Sequence, residues 1–210
     1  MLSLNTGLFS IVTTLICLSV DYLRLSPSAL AQSFIVPDGT LGTEPSFVIE
    51  NYRNLPVEVI IGGVIYNQNL FHSFSEFNIS EGRGAYFYSP SVDVTNVFGR
   101  VTGDNPSTIL GLLGTFGLSE PNLFLMNPNG FIFGPNASLD VDGSFVVTTA
   151  NQLQFKDQGS FSATSASFPP ILTINPSAFI FDQQVEQSEY SIESEASLSV
   201  NEGRSLLLVG

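Results

Sequence analysis

Two aspartates set two residues apart are the best candidates for chemistry in this sequence. Asp140 and Asp142 lie in a stretch that has the pattern of a β-strand, and residues two apart in a strand point to the same side. Such a pair could bind Ca²⁺, or act as general acid and base in a polysaccharide lyase or hydrolase. The only histidine, His72, supports neither a metal cluster nor a catalytic triad by itself, so we interpret it as a hydrogen-bonding residue of a strand or corner.

Basic residues that could assist the aspartate pair are scarce. Lyase sites usually hold a basic group beside the carboxylates, yet Lys156 is the only lysine of the chain. The arginines of the expected mature chain are spread along it, at Arg53, Arg83, Arg100 and Arg204. We therefore favour a solvated strand face for the aspartates over a catalytic site.

The overall charge excludes several classes of partner. The chain of 210 residues has 19 acidic and 6 basic residues, a net charge of −13, and only 12% charged residues against 43% hydrophobic ones. A surface so acidic does not neutralise phosphate, which argues against nucleic acid and anionic lipid as partners. The 18 phenylalanines and 18 glycines, with no tryptophan, indicate a chain rich in strands and turns. Such a composition suits a soluble protein outside the cell.

The first 31 residues have the pattern of a secretory signal peptide. An apolar run at 8–20 is too short to cross a membrane, and Ala29-Leu30-Ala31 follows it as a small-x-small cleavage site. We predict cleavage after Ala31. The only cysteine, Cys17, lies in the apolar run after Ile16, which is not the small residue that precedes a lipid-modified cysteine. The mature chain 32–210 then has no disulfide, so packing and backbone pairing must hold its fold.

Short strand signals follow one another through the mature chain, each bounded by Gly, Pro, Asn or Asp. The glycine-rich stretch 108–118 has three glycines in eleven residues, so we interpret it as strand and turn rather than helix. The expected strands are 47–49, 57–61, 85–88, 92–97, 123–126, 131–133, 144–149, 171–174 and 206–209.

An internal repeat predicts the architecture. LFLMNPNGFIFG (123–134) aligns with ILTINPSAFIFD (171–182), and SLDVDGSFVVTT (138–149) resembles SLSVNEGRSLLL (197–208). The first offset, 48 residues, is close to two turns of a parallel β-solenoid with roughly 20–25 residues per turn. We therefore predict an all-β fold, a right-handed parallel β-helix.

The segment Asn127-Pro128-Asn129-Gly130 has the composition of a corner in such a helix, because these residue types tolerate or impose the backbone angles of a sharp turn. Phe131 and Phe133 should then point to one face and Ile132 to the other. If 48 residues make two turns, Asn175 occupies the equivalent corner, and Phe179 and Phe181 repeat the arrangement on the same parallel sheet.

The open ends of a solenoid need protection from water and from other chains. We expect residues 32–65 to form an N-terminal β cap and residues 66–210 to form the turns of the helix. The chain stops within the apolar run SLLLVG, so we expect it to be the N-terminal part of something longer or the product of a truncated open reading frame.

Several blocks of the mature chain resemble one known family in the expected order. The blocks are QSFIVPDGTLGT (32–43), NQNLFHSFSEFNI (67–79), RVTGDNPSTILG (100–111) and NLFLMNPNGFIFGPNASLDVDGSFVVTTA (122–150). They are similar to the N-terminal secretion domain of filamentous haemagglutinin-type exoproteins, and the similarity runs from about residue 32 to the end.

The resemblance implies export by two-partner secretion across a Gram-negative envelope. The periplasmic domains of an outer-membrane β-barrel transporter would recognise the domain, which would then start folding as a right-handed β-helix at the cell surface. The family motif Asn-Pro-Asn-Gly-Ile maps onto Asn127, Pro128, Asn129 and Gly130, with Phe131 replacing Ile. The motif Asn-Pro-Asn-Leu maps onto Asn67, Asn69 and Leu70, with Gln68 replacing Pro.

Two functions from different classes therefore stand. The first is a non-enzymatic secretion signal and folding nucleus of an adhesin-like exoprotein, without cofactor or metal, whose downstream repeats would contact host or cell-surface ligands. The second is a β-helical carbohydrate-active enzyme using Asp140 and Asp142. A transporter gene beside this one would favour the first.

Overall fold

The computed structural model describes residues 31–156, 159–165, 178–181 and 191–210. Within these ranges the chain forms strands and one short 3-10 turn, Tyr52–Asn54, and no α-helix. No helix there has the length and apolar character required to cross a membrane. The predicted signal peptide falls almost entirely outside the described residues.

Eighteen strands follow one another along the described chain. They are β1 (Phe34–Pro37), β2 (Ser46–Ile49), β3 (Val57–Gly62), β4 (Val64–Tyr66), β5 (Asn69–Asn78), β6 (Gly84–Ser89), β7 (Asn96–Val101), β8 (Ser107–Ile109), β9 (Leu112–Gly117), β10 (Asn122–Met126), β11 (Phe131–Phe133), β12 (Ser138–Asp140), β13 (Phe145–Thr148), β14 (Gln152–Gln154), β15 (Ser160–Ser162), β16 (Ala178–Ile180), β17 (Ile192–Ser194) and β18 (Leu206–Val209).

Three sheets of stacked strands build a parallel β-solenoid, which confirms the predicted fold class. Sheet 1 runs β5-β7-β10-β13-β18, sheet 2 runs β3-β6-β9-β12, and sheet 3 runs β8-β11-β17, all with parallel pairing. Successive strands of sheet 1 are offset by 27, 26 and 22 residues. The turns β7-β8-β9 and β10-β11-β12 thus each contribute one strand to each sheet.

Three antiparallel strands lie at the N-terminal end of the solenoid. β1 and β4 both pair with β5 in sheet 1, and β2 pairs with β3 at the end of sheet 2. In sheet 3, Ile79 lies beside the edge strand β8 and exchanges backbone hydrogen bonds with Thr108 and Leu110.

The apolar shaft between the sheets holds the main core. Alternate residues of each strand point inward because side chains of a strand alternate between faces. Phe131 and Phe133 are fully buried in this core and Ile132 is 40% exposed, as the sequence predicted. Phe74, Phe87 and Phe145 are among the other large side chains that fill the shaft.

A second core lies on the outer face of sheet 1. Phe71, Phe98 and Phe124 stack there on consecutive strands, with ring centroids 5.0 and 4.7 Å apart. A small antiparallel sheet, β15-β14-β16, supplies residues that pack on this ladder, including Phe155 and Phe161. We call this the flank sheet. It belongs to the part of the chain between β13 and β17.

The flank sheet corrects the interpretation of the 48-residue repeat. β16, which contains Phe179, pairs antiparallel with β14, and Phe179 packs against the second core instead of the shaft. The strand that stacks on β11 is β17, with Phe131 opposite Ile192. The prediction for Phe179 and Phe181 is therefore wrong. Asn175 lies outside the described residues, as does the expected strand 171–174.

The segments of the second half of the repeat do stack, but two residues away from the aligned register. β13 pairs with β18 in parallel, with Phe145 opposite Leu206, and Leu139, Leu198 and Val200 all pack against the shaft core. Ser144 and Ser205 are 61 residues apart and join adjacent strands. The long offset is one turn with the flank segment inserted in it.

Further strands differ from the expected ones, and the expected list lacks β1, β4, β12, β14, β15 and β17. Val92–Val97 was expected as a strand, but the strand starts only at Asn96, where β7 begins in register with its neighbours. The longest strand, β5, was not predicted. The stretch 108–118 does form strand, turn and strand, as β8 and β9.

Candidate functional site

The corner Asn127–Gly130 connects β10 of sheet 1 with β11 of sheet 3. The Gly130 N–H donates to the Asn127 carbonyl at 3.0 Å, which closes a four-residue turn. The Asn129 N–H donates to Asn127 Oδ1 at 2.9 Å, so the first side chain of the turn also fixes its backbone. The predicted corner is thus formed by the predicted residues.

The asparagine side chains of this corner point to the preceding turn of the solenoid; we call each such turn a coil. Asn127 Nδ2 donates to the Asn105 carbonyl and to Ser107 Oγ, both at 3.0 Å. Asn129 Nδ2 donates to the Gly103 carbonyl at 2.7 Å. Asn127 is fully buried, and Pro128 and Asn129 are half-buried. In the folded domain, hydrogen bonds from the motif therefore connect two adjacent coils.

Gly130 lies where two coils approach each other closely. Its φ is +102°, a backbone angle that L side chains rarely adopt. A Cβ at this position would lie 2.6 Å from the Ser191 carbonyl oxygen of the next coil, which accepts the Phe131 N–H at 3.0 Å. Glycine is therefore required both by the turn and by the stacking.

The first motif segment forms a different kind of turn. Asn67 and Gln68 make the two-residue loop of the hairpin between β4 and β5, and Asn67 adopts a left-handed φ of +55°. Both residues are exposed, whereas Asn69 and Leu70 are buried. The Gln68 carbonyl accepts N–H groups from Thr95 and Asn96 of the next coil.

The two motif segments do not come together. Asn69 begins β5, and Asn127 follows the last residue of β10. The strands β5, β7 and β10 are parallel and in register. Asn69 therefore lies at the N-terminal ends of these strands, and Asn127 lies just beyond their C-terminal ends. They cannot form one compact recognition site in the folded domain.

Asn69 instead belongs to an asparagine ladder. Asn96 Nδ2 donates to Asn69 Oδ1 at 2.9 Å, and Asn122 Nδ2 donates to Asn96 Oδ1 at 3.0 Å. The ladder ends on the Ser144 N–H, which donates to Asn122 Oδ1 at 2.8 Å. We did not predict this ladder from the sequence, although a signal exists. Asn-Leu-Phe, Asn-Val-Phe and Asn-Leu-Phe begin β5, β7 and β10, with the spacing of the coils.

The comparison with protein families agrees with this architecture. The family described as TPS secretion domain matches residues 33–210. This chain belongs to that family. A comparison with curated proteins finds no match.

Membership in the TPS secretion domain family assigns the chain a role in two-partner secretion. In this route a protein crosses the outer membrane with the help of a partner transporter, so this TPS domain belongs to a secreted protein. The family consists of non-enzymatic secretion domains. This agrees with the preference for a secretion domain over a carbohydrate-active enzyme.

The aspartate pair of this TPS domain has structural partners. Asp140 Oδ2 accepts the Tyr86 hydroxyl at 2.8 Å, and burial together with this carboxylate raises the pKa of Tyr86. Burial, Glu120 and Asp140 raise the pKa of Asp142, while Arg204 lowers it. The described part of the chain holds no group of three or more His, Cys, Asp or Glu residues placed to hold a metal ion. The arrangement suits a surface network better than a catalytic pair.

His72 of this TPS domain lies inside the shaft. Its Nδ1 is 2.9 Å from Ser46 Oγ, and its Nε2 has no hydrogen-bond partner among the described residues. Burial lowers the pKa of His72 to about 3, so the ring is neutral at physiological pH. The prediction of a hydrogen-bonding strand residue is confirmed.

Proposed function

We propose that this TPS domain is the secretion signal and folding nucleus of an adhesin-like exoprotein. In this proposal the periplasmic domains of an outer-membrane β-barrel transporter recognise it, and the protein ends secreted or associated with the cell surface. The observation that carries the proposal is the family match over 33–210 on a solenoid whose corner contains the Asn-Pro-Asn-Gly motif.

We extend the proposal to the layout of the chain. Residues 1–31 would be a signal peptide that is removed before the domain meets its transporter. Residues 32–65 would be the cap and residues 66–210 the solenoid turns. The antiparallel strands β1, β2 and β4 support a cap, because they lie along the strands that begin the parallel stacks. β3 also falls within 32–65, although it pairs in parallel with β6 and begins sheet 2.

We also propose that Asn127, Pro128, Asn129 and Gly130 are read by the transporter. Asn127 is fully buried, and its amide group is engaged with the preceding coil. A partner can therefore contact this side chain only before the corner closes on that coil. The transporter would read the motif in the unfolded or partly folded chain, and folding would then withdraw it.

The first segment would act differently. Asn67 and Gln68 are exposed at a hairpin turn, so a partner can reach them in the folded domain as well. Asn69 and Leu70 are buried. Asn69 belongs to the asparagine ladder and Leu70 packs in the shaft core. We propose that only the exposed half of this segment takes part in recognition.

The test compares secretion with stability in single variants. Asn127→Ala leaves the corner without its bonds to the preceding coil and should lower the free energy of unfolding by about 2 kcal/mol. Asn96→Ala is the matched control, because it removes an equally buried asparagine from the ladder outside the motif. We expect secreted yield with the cognate transporter to fall about tenfold for Asn127→Ala beyond any fall for Asn96→Ala. Equal secretion of the two variants at equal stability would assign the motif a purely architectural role.

A further inference from the structure

The strand β2 presents an unpaired edge at the end of sheet 2. It pairs with β3 on one side, and no described strand pairs with its other side. An unpaired edge carries a row of free backbone N–H and C=O groups that another strand can bind. Its sequence, Ser-Phe-Val-Ile, contains no proline and no charge that would discourage such pairing.

The pairing with β3 shows which backbone groups point to the free side. The Gly63 N–H donates to the Pro45 carbonyl at 3.1 Å, and Phe47 lies opposite Ile61 in the same alternation. Residues of an antiparallel pair alternate between facing the partner strand and facing away. The backbone groups of Ser46 and Val48 therefore point away from β3. Ser46 is only 4% exposed, so the accessible part of this edge begins at the half-buried Val48 and continues to the exposed Glu50.

The edge strands of sheet 1 at this end differ from β2. β1 carries Pro37 and an irregular register between Val36 and Pro37, and proline and a bulge are both devices that block edge-to-edge pairing. β4 has no described strand on its outer side, but it is only three residues long. This end of the domain thus has one blocked edge strand, β1, and two open ones, of which β2 is the longer.

The side chains of β2 favour an apolar partner strand. Phe47 is 55% exposed and Ile49 is 40% exposed on the outer face of sheet 2. Leu55, 55% exposed, follows in the connection to β3. A strand added beside β2 would cover part of this surface if its own outward side chains were apolar.

The charges around β2 select against a second copy of this chain. Glu44 and Glu50 flank the strand and are exposed. Two copies paired antiparallel about Phe47 would place Glu44 of one copy directly opposite Glu50 of the other, and like charges in that position are destabilising. Each copy also carries a net charge of −13. A strand with basic residues at its ends would meet both glutamates favourably.

We propose that β2 accepts an added strand from a partner protein, with alternating apolar side chains between basic end residues. The inference rests on the proposed function in one respect, because the periplasmic domain of the transporter is the partner expected to supply the strand. β2 and β3 are neighbours in sequence, so this acceptor needs only a local hairpin to form. It can therefore exist before the rest of the solenoid closes.

The experiment measures binding of the domain 32–210 to the soluble periplasmic domain of the cognate transporter. Phe47→Arg should raise the dissociation constant about tenfold or more, whereas Phe34→Arg should change it less than about twofold. Phe34 is the matched control, since it is 59% exposed on the blocked strand β1. The double charge reversal Glu44→Lys with Glu50→Lys should weaken binding as Phe47→Arg does. Melting curves verify that each variant is folded.

A second variant tests the backbone directly. Val48→Pro removes the N–H group that points away from β3 and should abolish binding. If this variant does not fold, the binding of Phe47→Arg and of the charge reversal still tests the proposal. Equal effects of Phe47→Arg and Phe34→Arg, or no effect of either, would contradict strand addition at β2 but would leave recognition by the transporter intact. A wild-type dimer that Phe47→Arg dissociates would assign the edge to a second copy and also overturn the proposal. No binding of the folded wild-type domain would overturn the edge, whereas recognition of Asn127–Gly130 in the partly folded chain is decided separately by the secretion of Asn127→Ala against Asn96→Ala.

Discussion

Asp38 and Arg100 face each other across two hydroxyl groups. Thr40 Oγ1 and Ser73 Oγ each donate to the Asp38 carboxylate at 2.8 Å, and each accepts a guanidinium N–H of Arg100 at 2.8 Å. Burial raises the pKa of Asp38, but hydrogen bonds from Thr102, Thr40 and Ser73 outweigh it and leave that pKa lowered. The carboxylate and the guanidinium thus stay charged in a place shielded from water.

Arg100 also holds the flank sheet. It is fully buried, donates to the Ser162 and Ser165 carbonyls, and lies 4.8 Å from the centroid of the Phe161 ring. One side chain thereby connects the loop after β1, the outer face of sheet 1 and the flank sheet. The second core depends on this connection, because Phe161 packs directly on Phe71.

Arg100→Lys should loosen the flank sheet. Lysine keeps the charge but cannot reach both hydroxyl groups and the carbonyls together, so we expect a loss of about 3 kcal/mol in the free energy of unfolding. Limited proteolysis should cut the flank sheet of the variant faster than that of the wild type. Arg204→Lys is the control, because Arg204 makes an exposed ion pair with Glu120 and should change stability by less than about 0.5 kcal/mol. Similar losses in both variants would contradict the role of Arg100.

His72 should make the domain sensitive to acid. Its folded pKa of about 3 lies below the ordinary value of 6.5, so the unfolded chain binds a proton more readily than the folded one. The stability that His72 contributes is then complete above pH 6.5 and is lost as the pH falls toward 3. Between pH 6.5 and 5 the loss should be about 2 kcal/mol.

The comparison of wild type with His72→Leu isolates this effect. Denaturant unfolding at pH 7, 6 and 5 should show a falling free energy for the wild type and a much flatter dependence for the variant. The range stops at pH 5 because carboxylates with ordinary pKa values begin to protonate below it. An identical pH dependence of the two proteins would show that His72 does not titrate as proposed.

Gly130→Ala should destabilise the corner by two separable effects. The alanine must adopt a positive φ, and its Cβ meets the Ser191 carbonyl oxygen of the next coil. Gly203→Ala serves as the control, since Gly203 has a φ of +81° but no atom within 4 Å of the place that an alanine Cβ would occupy. We expect about 1 kcal/mol for Gly203→Ala and about 3 kcal/mol for Gly130→Ala, measured by chemical denaturation. Equal losses would mean that the contact with Ser191 relaxes without cost.

The local sequence determined the strands and the corner. Strand geometry determined that Phe131 and Phe133 share one face and Ile132 lies on the other, because side chains of a strand alternate between its faces. The two phenylalanines are the buried ones. The Asn-Pro-Asn-Gly segment determined a turn, because its residue types tolerate the required backbone angles. These are short-range effects, and the residues that produce them are adjacent in the chain.

The tertiary structure decided which strands stack and what the polar side chains do. Phe131 lies beside Ile192 and not beside a strand 48 residues later, because the flank segment leaves the solenoid before the chain returns to it. Asn127 and Arg100 look like surface residues in the sequence, yet both are buried because other coils supply their hydrogen-bond partners. The alternation of residues along a strand indicates which face of the strand is buried. The neighbouring strand with which it pairs depends on which distant segment can complete the same sheet with the least unpaired backbone and the least exposed apolar surface.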